Sequence, residues 1–156
     1  MQETNDMPGH LIRRLQQAAV AIFYREVAET DVDVSPVQFA ALDAVSKAPG
    51  IDQATLAGLI AYDRTTITGV VDRLVAKGYL QRTQSEKDRR AKVLKVTEKG
   101  QAALLQVRPA VMAAQTVMLR GLDEAEAEAF MTLLRKALGA VNELSRAPMV
   151  ARENAG

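Results

Sequence analysis

The chain has 156 residues, a length that suits one domain or one domain with additional packing helices. Hydrophobic residues make up 48% and charged residues 25%, which excludes a disordered chain. The lack of cysteine excludes disulfides and thiolate metal sites, and the net charge of +1 says little until its distribution is read.

Residues 9–29 read as a helix. Leu11, Leu15, Ala18, Ala19, Ile22 and Phe23 recur at spacings of three and four and mark one apolar stripe. "SPVQF" then opens a second helix: Ser35 caps it, Pro36 suits its first position, and Gln38 completes a capping box. That helix should bury Phe39, Leu42 and Val45 and stop at "APG", residues 48–50. A short helix follows from Asp52, with Leu56, Leu59 and Ile60 inward. After Ala61 and Tyr62, Asp63 caps another helix over 64–77, whose inward positions are Ile67, Val70, Val71 and Leu74. Gly78 ends it. Two short helices on so tight a connection predict a helix-turn-helix.

"YLQRT" and "AKVLKVT" suit strands and are separated by the polar "QSEKDRR", so they predict a hairpin of two strands attached directly to the second helix. Thr97 caps a long helix running towards Arg120, with Pro109 inside it. Asp123 and Glu126 have the spacing of a cap for the last helix, whose stripe is Phe130, Leu133, Leu134, Ala137, Leu138, Val141 and Leu144. Residues 147–156 read as a flexible tail. The predicted fold class is mainly α with a small β-hairpin wing, a winged helix-turn-helix with long additional helices.

The charge is unevenly placed. Residues 73–99 contain nine basic and three acidic side chains, a local charge of +6, so the remainder carries −5. Such asymmetry is the electrostatic signature of a nucleic-acid face. On a helical wheel, Thr65, Gly69 and Asp72 lie opposite the apolar arc of helix 64–77, flanked by Thr66, Thr68 and Arg73. Short hydroxyl-bearing side chains and a glycine allow a helix to approach closely in a DNA major groove. A basic hairpin beside that helix can reach the neighbouring minor groove, where a guanidinium gains from concentrated negative potential. Arg90 is the candidate for insertion. Lys87, Arg89 and Lys92 are candidates for phosphate contact. Asp88, whose charge opposes DNA, is assigned an internal role, either orienting Arg90 or bracing the turn.

The segment "DRTTITGVVDRLVAKGYLQRTQSEKDRRAKVLKVTEKG", residues 63–100, resembles the MarR family of winged-helix transcription regulators. Asp88 and Arg90 match the family's Asp-x-Arg wing pair, and the likeness extends over about residues 9–145. It implies a homodimer, with 1–34 and 100–146 as dimerisation helices and 35–99 as the DNA-binding lobe. It also implies a pseudo-palindromic double-stranded operator and repression relieved by a small ligand. The terminal helices support a dimer on their own, because exposing Leu133, Leu134, Leu138, Val141 and Leu144 would leave an apolar patch; the other reading is an intramolecular helical bundle.

"GHLIRRLQQAAVAIFYRE" holds the only histidine. Arg13 and Arg14 suit a carboxylate, with His10 or Tyr24 orienting a ring or hydroxyl. The stretch resembles the first helix of MarR-family regulators of aromatic-acid catabolism, which implies an aromatic carboxylate or its coenzyme A thioester as effector. The other reading places these arginines on a solvated or interfacial face.

No Gly-rich phosphate loop, HExxH motif or Cys/His cluster is present, so no catalytic residue, metal or cofactor is expected. No apolar run approaches the roughly 20 residues that span a bilayer, and "MQETNDMPGH" lacks the features of a signal peptide. The expectation is a cytoplasmic protein without a membrane partner. The alternative from another class is a winged-helix protein-interaction module without specific DNA binding.

Overall fold

The computed structural model describes residues 3–151. After a 3-10 turn, α1 spans Pro8–Val27, α2 Pro36–Lys47, α3 Gln53–Leu59 and α4 Arg64–Ala76. The short β1, Ile51–Asp52, precedes α3; β2, Leu80–Gln84, and β3, Lys92–Val96, follow α4. The long α5, Glu98–Met118, and α6, Glu124–Val141, come next, and a second 3-10 turn at Asn142–Leu144 completes the order.

Helix starts follow the chemistry of their caps. Ser35 accepts from the Gln38 amide while the Gln38 side chain accepts from the Ser35 amide, a complete capping box. Asp52, Asp63 and Thr97 each accept from the amide three residues on, and Asp123 with Glu126 forms a second capping box. Gly78, at φ 76°, turns the chain out of α4 into β2.

The sheet has three strands rather than the two of the predicted hairpin, in antiparallel order β1-β3-β2. Ile51 pairs with Leu94, and the Gly50 amide donates to the Leu94 carbonyl at 2.8 Å. Gly50 has φ 82°, a left-handed turn that delivers the two residues of β1 onto the free edge of β3. Two residues are too few for an alternating sequence pattern, which is why this strand is hidden in the sequence. In the hairpin, Leu80 faces Val96 and Arg82 faces Leu94.

Two apolar clusters form the interior. One gathers Leu42, Val45, Leu56, Ile67, Val71, Leu74, Leu80 and Leu94 between α2, α3, α4 and the sheet. Each such fully buried aliphatic side chain contributes about 1.5–3 kcal/mol. The other joins Phe23 and Val27 of α1 and Val32 and Val34 of the connection to Ala103, Val107 and Val111 of α5. Phe39 and Tyr79 pack against both. Gly100 lets α5 pass the backbone of Tyr79, since any Cβ there would collide with the Tyr79 carbonyl and Val96.

The terminal helices are only partly covered. Leu11 and Leu15 of the predicted α1 stripe are exposed, whereas Phe23 is buried. Helix α6 buries none of its residues, and Leu133, Leu138 and Val141 are exposed along it, as is Leu144 beyond it. Within 147–156, read from the sequence as a flexible tail, the described residues make specific contacts. Met149 exchanges two 2.9 Å hydrogen bonds with the Asn142 side chain, and the Val150 amide donates to the Gly58 carbonyl at 2.9 Å. Residues 152–156 lie outside the described residues.

Candidate nucleic-acid interface

Helix α4 is built from its cap upward. The Asp63 carboxylate accepts from the amide and the hydroxyl of Thr66, at 2.8 and 2.9 Å. The Thr66 amide, then its hydroxyl, holds the Asp63 carboxyl below its ordinary range. Ile67, Val70, Val71 and Leu74 are buried, leaving Thr65, Thr66, Thr68 and Arg73 exposed. The three threonines differ in what their hydroxyls already do. Thr66 serves the cap. Thr68 donates to the Arg64 carbonyl at 2.8 Å and accepts from Gln53 Nε2 at 3.1 Å. Thr65 makes no side-chain hydrogen bond among the described residues. A Cβ at Gly69 would meet nothing within 4 Å, so no neighbour in the chain requires a glycine there.

The wing tip is a network of short-range bonds. The Ser85 amide donates to the Ala91 carbonyl at 3.0 Å, and Ser85 Oγ accepts from the amides of Lys87 and Asp88. Asp88 Oδ1 accepts from the Arg90 amide at 3.0 Å. Of the two roles considered for Asp88, the contact present is therefore with the turn backbone and not with the Arg90 guanidinium. Gln84 Nε2 reaches the Arg89 carbonyl at 2.6 Å. Lys87, Arg89, Arg90 and Lys92 all remain exposed.

Helix and wing share a surface. A recess of about 230 Å³ is lined by Gln53 of α3, Arg64 and Thr68 of α4, and Arg90 and Lys92 of the wing. Arg64 and Gln53 escaped the sequence reading. Arg64 lies one helical turn before Thr68, a signal the wheel contains. Gln53 is fifteen residues from Thr68, and only folding brings them together.

Other charges in the basic window are used internally. Arg82 of β2 pairs with Asp72 of α4 at 2.6 Å, which neutralises the one carboxylate on the outward face of that helix. Lys77 Nζ donates to the Asp33 carbonyl at 2.6 Å and to Gln38 Oε1 at 3.0 Å. Lys99 sits over the Tyr79 ring at 5.6 Å.

On α1, Arg13 donates to Gln17 Oε1 at 3.0 Å and lies 3.5 Å from His10 Nε2. Arg14 is exposed on the next position. Tyr24 does not join them within one chain: fourteen residues of α-helix separate it from His10 by about 21 Å. It lines a different hollow, of about 300 Å³, with Val27, Thr30 and Val32. Among the described residues, no group of three or more His, Asp or Glu side chains could hold a metal ion. No described helix is long and apolar enough to cross a membrane.

Comparison with known proteins gives the same picture. The profile described as "MarR family" matches residues 34–92. The HTH-type transcriptional repressor NicR of Pseudomonas putida is 31% identical over 134 residues, covering 86% of this chain and 84% of NicR. The structure reported for the mechanism by which 6-hydroxynicotinic acid regulates DNA binding of Bordetella bronchiseptica BpsR superposes with a TM-score of 0.81 at 28% identity, covering 88% of this chain and 96% of that one. A mutant MarR from E. coli complexed with operator DNA gives 0.79 at 25% identity, covering 88% and 97%. With its helix-turn-helix, its wing and these relatives, the chain belongs to the MarR family of winged-helix, DNA-binding transcriptional regulators, which are not enzymes.

Proposed function

We propose that the protein is a homodimeric cytoplasmic repressor that leaves its operator when it binds an aromatic carboxylate or the coenzyme A thioester of one. The observation that carries the DNA half is the shared recess of α4 and the wing, which aligns Arg64, Thr68, Arg90 and Lys92 on one outward surface. Thr65, Thr66, Thr68, Gly69 and Arg73 face the major groove in this reading, and Arg90 enters the minor groove. Lys87, Arg89 and Lys92 hold phosphates, while Asp88 keeps the wing turn in shape. The uncovered faces of α1 and α6 support a dimer built from the terminal helices, which presents two copies of α4 to half-sites about one DNA turn apart.

The effector reading rests on His10, Arg13 and Arg14, which place an imidazole and two guanidiniums on the first helix. A guanidinium receives a carboxylate through two parallel hydrogen bonds. The molecule named for the BpsR neighbour, 6-hydroxynicotinic acid, combines a ring with a carboxylate, and that chemistry fits such a group. Release from DNA requires tighter effector binding to the DNA-incompetent arrangement than to the competent one.

Fluorescence anisotropy on the promoter fragment tests both halves. Operator affinity should fall steeply with salt and still discriminate operator from random duplex. Equal affinity for both duplexes would favour the protein-interaction reading. An aromatic carboxylate should weaken operator binding at fixed salt, and Arg13→Ala with Arg14→Ala should remove that response while leaving DNA binding in place.

A further inference from the structure

The segment after α6 returns to the helix-turn-helix and touches both of its helices where they join. Asn142, at the end of α6, clamps Met149 through two hydrogen bonds, one given and one accepted, each 2.9 Å. One residue on, the Val150 amide donates to the Gly58 carbonyl of α3 at 2.9 Å. The Val150 side chain lies so close to Gly58 that a Cβ there would meet it at 3.2 Å. Arg146 lies 3.7 Å from Asp63, the cap of α4. Between this segment and the end of α6 is an apolar cavity of about 590 Å³, bordered by Ala61, Leu138, Val141 and Met149. The segment therefore borders a void on one side and is held by directed bonds and by the fit of Val150 against Gly58.

We propose that residues 145–150 form a strap that couples α6 to the α3–α4 junction, and that Asn142 and Val150 are positioning residues for the recognition helix. This rests on the DNA-binding reading of α4 and adds to it a route between the terminal helices and the groove-facing surface. Helix α6 buries nothing of its own in the chain, yet its last turn is bonded to a segment whose other end is fixed on α3. A shift of α6 pulls on Gly58 and, through Arg146, on the α4 cap. Ala61 stands between those two anchors at φ 57°, a left-handed conformation that costs a non-glycine residue roughly 1–2 kcal/mol. The strap thus bears on the most strained joint of the helix-turn-helix.

Full-length Gly58→Ala and Asn142→Ala proteins test this. The first crowds Val150 while favouring the α3 helix; the second removes the Met149 clamp without altering the DNA-facing lobe. In the unaltered protein the Val150 amide should be protected from hydrogen exchange, and each variant should release it. Each should weaken operator binding on the order of tenfold, with the slope of log affinity against log salt unchanged. The double variant should lose little more than either single one, because both break the same connection. An unprotected Val150 amide in the unaltered protein overturns the strap. So does operator affinity equal to the unaltered protein's in either variant once that amide exchanges freely, or full additivity in the double variant. Failure of the unaltered protein to prefer its operator would instead strike the DNA-binding reading, so the two failures are distinct.

Discussion

Arg82 and Asp72 meet at 2.6 Å, joining strand β2 of the wing to the outward face of α4. The pair ties β2 to α4 and, in the proposed DNA-binding reading, masks a carboxylate that would otherwise face phosphate. Both side chains are part-exposed, so its contribution to stability is at most about 1 kcal/mol after solvent screening. Its contribution to DNA binding should be larger. Arg82→Ala should lower operator affinity roughly tenfold with little change in Tm, and Asp72→Asn in that background should recover part of the loss. Anisotropy at fixed salt for the four proteins of the cycle decides the matter; independent effects of the two substitutions would contradict it.

Arg90→Ala should weaken operator binding by about 1–3 kcal/mol and leave the fold intact, because the side chain is exposed and the turn is braced through its amide. Asp88→Ala should act differently, by loosening the turn: exchange of the Arg90 amide should accelerate. Unchanged affinity in a folded Arg90→Ala protein would remove the wing assignment.

Gly69→Ala separates stability from recognition. The position is mid-helix with open space around it, so alanine should raise the unfolding free energy by about 1 kcal/mol. Operator affinity should fall nonetheless, since the added methyl stands where the helix would approach the groove. A variant that gains both stability and affinity would show that the glycine has no part in the DNA contact.

Gly100→Ala should do the reverse. Its methyl has to displace both the Tyr79 carbonyl and Val96, and overpacking of this kind costs about 1–3 kcal/mol. Denaturant titration should show a lower midpoint with an unchanged slope.

Acid should weaken the protein in a defined window. Burial pushes the Asp43 carboxyl up, but hydrogen bonds and charge from Lys47 and Arg108 outweigh it and leave it below the ordinary carboxylate range. At Asp52, burial likewise pushes up and the Thr55 hydroxyl and amide outweigh it; Asp63 is lowered chiefly by Thr66. A carboxyl with a lower pKa in the folded state stabilises fully above its unfolded pKa and ceases to do so as pH falls through its folded one. The Tm should hold down to about pH 5 and drop below about pH 4, and Asp43→Asn should flatten part of that drop. A Tm that stays level from about pH 5 to about pH 3 would contradict this.

Much of this was legible in the sequence because it is local. Ser35 with Gln38, Asp63 with Thr66, and Asp123 with Glu126 are caps three residues apart, and the structure forms each one. The outward threonines follow from helical periodicity alone. What sequence spacing does not contain is which hydroxyls are already occupied: Thr68 is bound by Gln53, which lies on another helix. The strand Ile51–Asp52 was invisible because it is defined by pairing with Leu94 and not by any pattern of its own. The place of Val150 was not legible either, because it depends on Gly58, ninety-two residues earlier, whose lack of a side chain leaves room for it.

Phe39 and Tyr79 lean on both apolar clusters, so neither cluster can melt while the other keeps its lining intact. Heat should therefore be absorbed in one endotherm, whose van't Hoff and calorimetric enthalpies agree for the assembled species. A shared aromatic seam of this kind should make the helix-turn-helix lobe and the helical scaffold a single thermal unit, leaving no temperature at which one stays folded without the other.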